Sequence, residues 1–188
     1  MPQIMQLLTA GGDDFVTRPV PWLVLTWVGI DGDRHAGPVR AADARTPWHR
    51  RGMEIANTRQ LSIVSYEECA EIAALLGIDR VDPALLGANL VVQGIPALSL
   101  LAPASRLQFP SGATIFVTEQ NAPCRHPADR LSQAHGAPGL SSKFARAAIG
   151  RRGLVGLVEC CGEVAVGDAV SCIASPARVA APRLPALT

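Results

Sequence analysis

Hydrophobic positions in this chain fall in short runs broken by Gly, Pro and Asp, a pattern of strands rather than long helices. Residues 4–10 (IMQLLTA) and 21–30 (PWLVLTWVGI) read as early strands. The second stops at GIDGDRHAG, and from Asp31 to Arg59 no period is sustained around an isolated Trp48. So long an irregular passage in a compact chain is uncommon unless it serves a purpose or is disordered. QLSIVS (60–65) resumes as a strand, and SYEECAEIAALLG (65–77) carries a helix signature. Ser65 is its cap, Glu68 the box partner, Ile72, Leu75 and Leu76 the apolar stripe, and Gly77 the stop. DPALLG (82–87) predicts a short helical turn, ANLVVQGIP (88–96) a strand, and ALSLL (97–101) another short one. RLQFPSGATIFVTEQ (106–120) reads as a hairpin turning at PSG. HPADRLSQA and SKFARAAIG predict helices, and residues 153–174 two strands joined around Gly162, with VGD as a turn. The sum is a β-rich α+β fold: one domain over residues 1–173, with a curled, barrel-like sheet and a few peripheral helices. Residues 174–188, rich in Ala, Pro and Arg, read as a disordered or surface-draped tail.

Composition narrows the function classes. The 188 residues are 48% hydrophobic and carry a formal charge of +1, which argues against a surface built for nucleic acid or an anionic membrane. No apolar run approaches the roughly 20 residues that span a bilayer, and the start lacks the basic flank of a secretory signal. Five cysteines, odd in number and without a CxxC, suit reduced thiols. The expectation is a soluble, cytoplasmic protein with no membrane partner.

Charge is uneven locally. Arginines 34, 40, 45, 50, 51 and 59 face only Asp43 and Glu54 in sequence, and Arg125 to Arg152 holds five arginines plus Lys143, the only lysine, against Asp129. These stretches lack interleaved aromatics for base stacking, so no nucleic-acid partner is expected. Between them lies NAPCRH (121–126), a thiol placed between a proline and two potential cations. If the fold closes the basic stretches over Cys124, the pocket favours a thiolate and an anionic ligand held by forked guanidinium donors. Arginines on a solvated face are the competing account. For the other thiols, Cys69 and Cys172 read as small buried hydrophobes, and Cys160 and Cys161 point to opposite faces of a strand. Cys124, His126 and His135 make a thin zinc set, and Cys124 with His126 a thinly supported nucleophile pair.

GIDGDRHAG, GANLVVQGI, TEQNAPC, GRRGLVGLVE and GEVAVGDAV, in this order, resemble the MOSC domain family, in its small stand-alone bacterial form. One departure is ECCGEV, where a cysteine stands in place of an expected second glycine. The resemblance implies a strand-rich, barrel-like fold in which Cys124 either carries sulfur or ligates molybdenum. It also implies a molybdenum cofactor (molybdopterin) whose phosphate accounts for the arginines. The candidate cofactor-binding residues are Asp33, Arg34, His35, Arg59, Asn121, Arg125, Lys143, Arg151 and Arg152. One function it implies is reduction of a small N-hydroxylated substrate with electrons from a redox partner. A second is a carrier that forms a persulfide on Cys124 and passes sulfur to an acceptor in metal-sulfur cluster or cofactor assembly. A cofactor-holding module without turnover is a third.

Overall fold

The structure, a computed structural model, describes residues 1–12 and 15–175, so the tail expected from Ala174 lies, from residue 176 onward, outside the described residues. The described residues form thirteen strands and three α-helices: β1 (Gln3–Thr9), β2 (Arg18–Val20), β3 (Trp22–Thr26), β4 (Gly29–Ile30), β5 (Val39–Ala41), β6 (Glu54–Ala56), β7 (Leu61–Ser65), α1 (Tyr66–Leu76), β8 (Leu90–Gln93), β9 (Arg106–Gln108), β10 (Thr114–Gln120), α2 (Arg125–Ala134), α3 (Leu140–Ala148), β11 (Leu154–Cys160), β12 (Gly162–Ala165) and β13 (Ser171–Ile173).

Eight of the strands form one mixed sheet in the order β13-β9-β10-β11-β7-β8-β1-β2, with β12-β3-β4 and β5-β6 as smaller sheets. Among the described residues only β7 and β8 pair in parallel, and α1 supplies the crossover that a parallel pair requires. The β-rich α+β class is as expected, while the barrel-like form is not confirmed: no sheet closes on itself among the described residues.

Alternation along the central strands sorts side chains between two cores. Leu61 and Ile63 of β7, and Leu90 and Val92 of β8, join the core shared with Leu23, Leu25 and Val164 of the small sheet. Val64 and Val91 point the other way, into the cluster roofed by Ile72 of α1, Leu131 of α2 and Phe144 of α3. In β1 both Ile4 and Leu7 face the first core, because a register shift between Ile4 and Gln6 inserts an extra residue. Fully burying one such aliphatic or aromatic side chain stabilises the fold by about 1.5–3 kcal/mol.

Several sequence expectations change. PWLVLTWVGI is not one strand: β2 pairs with β1, β3 pairs with β12, and Pro21, lacking an N–H, stands at the change of sheet. ALSLL is a 3-10 turn over Leu98–Leu100, entered through a left-handed Ala97. Ser65 caps α1 as expected, accepting from the Glu68 amide at 3.2 Å. The Glu68 carboxylate does not complete the box: it is buried and accepts from the Ser99 amide at 3.0 Å and the Ser99 hydroxyl at 2.6 Å. Glu67 takes the Ser65 hydroxyl at 2.8 Å instead. Leu75 lies outside the buried stripe, whose members are Cys69, Ile72, Ala73 and Leu76. Cys172 is exposed rather than buried. The irregular passage after Asp31 contains the β5-β6 hairpin, and the chain after Gly153 makes three strands rather than two. All three tryptophans are exposed: Trp22 at 60%, Trp27 at 68% and Trp48 at 74%. No helix among the described residues is long and apolar enough to cross a membrane.

Candidate functional site

A cavity of about 280 Å³ opens where the loop after β4, the β5-β6 hairpin, the start of β7, the end of β10 and the turn before β11 converge. Its framework begins with Asp33, whose side chain is fully buried. Oδ1 accepts from the His35 amide and from His35 Nδ1, both at 2.8 Å. Oδ2 accepts from the Ala10 amide at 2.9 Å, Asn89 Nδ2 at 2.9 Å and Thr9 Oγ1 at 3.1 Å. Burial pushes the Asp33 carboxyl up, but the His35 bond, the two amides and the nearby His35 charge together hold it below its ordinary value. Asp33 stands behind the cavity wall and fixes His35, which does line it. Asn57 braces the same loop by donating to the His35 and Gly37 carbonyls at 2.8 and 3.1 Å.

The opposite wall begins with Arg59. Its amide is held by Asn57 Oδ1 at 3.1 Å, and its guanidinium pairs with Glu119 at 2.8 Å and donates to Asn121 Oδ1 at 3.0 Å. Asn121 in turn donates to Ser62 Oγ at 3.2 Å, which ties the end of β10 to β7. Burial lowers the Arg59 pKa, against the pull of Glu119. Arg45 enters from the hairpin loop and pairs with Asp43 at 2.9 Å. Arg34 lies over the Phe15 ring at 5.7 Å, and Phe15 stacks on His126 at 5.8 Å.

Cys124 is the N-cap of α2, in extended backbone, with a half-buried side chain. It lines the cavity, and on its other side it lines a separate groove of about 510 Å³ between α2 and α3. Across the cavity stands Arg152, 4% exposed, with one guanidinium nitrogen donating to the Leu86 carbonyl. Its Nε and Nη1 are buried and have no hydrogen-bond partner among the described residues. Burial lowers the Arg152 pKa to about 10 while the charge of Cys124 pulls it back up, so the group stays cationic at neutral pH. The next residue fixes this position: Gly153 has φ +93°, and a Cβ there would overlap the Ile63 carbonyl oxygen. Its amide donates to Ser99 Oγ at 2.7 Å, the hydroxyl that serves Glu68.

Of the candidate residues, the cavity wall therefore gathers Cys124, Arg34, His35, Arg59, Asn121 and Arg152. Arg125 and Lys143 are exposed on α2 and α3 outside it, Arg125 pairing with Asp129 at 3.0 Å. Arg151 turns away and pairs with Glu71 at 2.6 Å. Phe15, Arg45 and Ser62 line the cavity without having been singled out in the sequence; only Arg45, as a member of the basic stretch, carried a signal. Among the described residues no group of three or more His, Cys, Asp or Glu side chains could hold a metal, so the thin zinc set of Cys124, His126 and His135 does not assemble.

What the arrangement offers chemically is one accessible sulfur facing a cationic wall. The MOSC domain family model matches residues 31–171, which includes every cavity residue named above except Phe15. YuaD of Bacillus subtilis (strain 168), named "Putative metal-sulfur cluster biosynthesis proteins YuaD", is 44% identical over 165 residues, covering 87% of this chain and 86% of YuaD. A crystal structure of the Bacillus subtilis YuaD protein superposes with a TM-score of 0.90 at 41% identity, over 93% of this chain and 97% of the other. YiiM from Escherichia coli shares the fold, with a TM-score of 0.56 at 18% identity over 93% of this chain and 71% of its own. With the motifs, the matched span and these relatives in agreement, the chain belongs to the MOSC domain family.

Proposed function

We propose that this protein is a sulfur carrier in metal-sulfur cluster or cofactor assembly, with Cys124 holding the transferred sulfur as a persulfide. The observation that carries the reading is Cys124 at the rim of a cavity where the buried guanidinium of Arg152 has two donors without partners among the described residues. In the carrier cycle the Cys124 thiolate attacks the outer sulfur of a donor persulfide. The donor S–S bond breaks, the donor leaves as its thiolate, and Cys124 becomes Cys124–S–SH, which ionises. An acceptor nucleophile then takes the outer sulfur and releases the Cys124 thiolate, so no external oxidant or reductant enters. Arg152 and Arg59 stabilise the anionic persulfide, and the groove on the other side of Cys124 gives an acceptor its own approach. The name of the 44% identical relative supports the same reading.

Incubation with a low-molecular-weight organic persulfide is expected to add one sulfur mass to Cys124 in intact-protein and peptide mass spectrometry, and Cys124→Ser is expected to stay unmodified. Sulfur appearing equally on Cys160 or Cys172, or nowhere, ends the reading.

A second reading, a molybdenum-cofactor protein reducing N-hydroxylated compounds, is favoured by the number of guanidiniums: Arg34, Arg45, Arg59 and Arg152 line the cavity, more than a single persulfide charge needs. The residues fit such a group. Cys124 offers one soft thiolate to the metal, and the orphaned Arg152 donors suit an oxyanion such as a phosphate. With no further metal-ligating cluster among the described residues, the cofactor would bring its remaining ligands itself. When bound, it supplies the redox chemistry; His35 and Arg59 orient what lies against them. Stoichiometric molybdenum in anaerobically purified protein, lost in Cys124→Ser, separates this reading from the first.

A further inference from the structure

We propose that the cavity takes a small dianionic sulfane-sulfur donor of the thiosulfate class, held by Arg152 and Arg45 while Cys124 Sγ attacks its outer sulfur. The inference rests on the persulfide reading above and specifies the donor. Arg152 is shut off from bulk water, yet its Nε and Nη1 find no acceptor among the described residues. A buried donor left unpaired carries a desolvation cost, larger when the group is charged. An oxyanion entering through the cavity relieves that cost; a neutral or cationic donor leaves it in place. The lining supports the same charge sign: among the described residues Arg45 pairs with Asp43 and Arg59 with Glu119, but no carboxylate pairs with the cavity's Arg152. A volume of about 280 Å³ suits a small anion beside the thiol better than the loop of a partner protein.

The step balances without a co-reactant. The thiolate of Cys124 forms a bond to the outer sulfur of thiosulfate, the donor S–S bond breaks, and its electron pair leaves on sulfite. The products are Cys124–S–S⁻ and sulfite, with total charge unchanged. A thiophilic acceptor such as cyanide then removes the outer sulfur as thiocyanate and restores the thiolate.

The test measures thiocyanate from thiosulfate and cyanide, together with the mass of Cys124 after thiosulfate alone. Saturable turnover is expected, abolished in Cys124→Ser, with KM for thiosulfate raised about fivefold in Arg45→Gln, a partly exposed position that leaves the fold intact. Sulfite is expected to protect Cys124 of the unaltered protein from iodoacetamide, a measurement that requires no variant. If an organic persulfide loads Cys124 while thiosulfate neither loads it nor turns over, the anionic donor is wrong and the carrier reading stands. If neither donor loads it, both fall. Turnover unaffected by Arg45→Gln, with no protection by sulfite, also overturns the proposal, because the sulfur would then be reached without the guanidiniums.

Discussion

Two thiols lie within electrostatic reach of Arg152, each in a region that also holds a buried carboxylate. Beside the cavity are Cys124 and Asp33; under the helices are Cys69 and Glu68. Burial drives the Cys69 thiol up to about 12, whereas Cys124 stands on a rim shared by two openings. The carboxylates also diverge. Burial opposes ionisation in both, but Asp33 collects five donors and falls below its ordinary value, while Glu68 receives two from Ser99 and rises above its own. Depth alone does not decide ionisation; the number of donors supplied by the surrounding loops does.

The largest effect expected from this contrast is in alkylation. At neutral pH iodoacetamide should modify Cys124 about 1000-fold faster than Cys69, read by peptide mass spectrometry, and comparable rates would erase the distinction. Next comes Asp33→Asn, which turns an acceptor for five donors into a group that repels some of them. It should cost about 3 kcal/mol in urea unfolding at neutral pH. The depressed Asp33 pKa gives stability that is fully present above its ordinary value of 3.8 and lost as pH falls through the folded value. The variant should therefore lack that part of the acid-side loss.

Arg152→Met should be neutral to about 1 kcal/mol stabilising, since it removes two unpaired buried donors, while sulfur loading of Cys124 weakens. Destabilisation well beyond that would mean the bond to the Leu86 carbonyl dominates. The smallest effect belongs to Glu68→Gln, expected within about 0.5 kcal/mol at neutral pH because the amide still bonds Ser99. The raised Glu68 pKa contributes stability below its ordinary value of 4.5 that is lost as pH rises through the folded value, the reverse of Asp33. The glutamine variant should accordingly lose that acid-side contribution.

Local signals in the sequence carried the strands, the capped α1 and the thiol loop, because those depend on alternation, capping residues and Gly or Pro placement. Partner choice between strands was not legible there. Nothing in PWLVLTWVGI states that the chain changes sheets at Pro21, and the length of ALSLL is equally compatible with a 3-10 turn. The site divided in the same way. Cys124 and the basic stretches were visible as composition, yet Arg151 and Arg152, adjacent in sequence, end on opposite sides of the wall because the left-handed Gly153 fixes the turn. Phe15 and Ser62 had no chemical signature at all; topology alone places them in the cavity that the thiol also lines.

The three outward-facing indole rings set how this protein can be watched in solution. Because none of them is shielded in the native state, their emission changes little when the chain unfolds, so intrinsic fluorescence is a poor thermometer of its stability. Trp48 rides on the β5-β6 loop that also carries Arg45 to the cavity, which makes it the indole to follow when anion binding is tested.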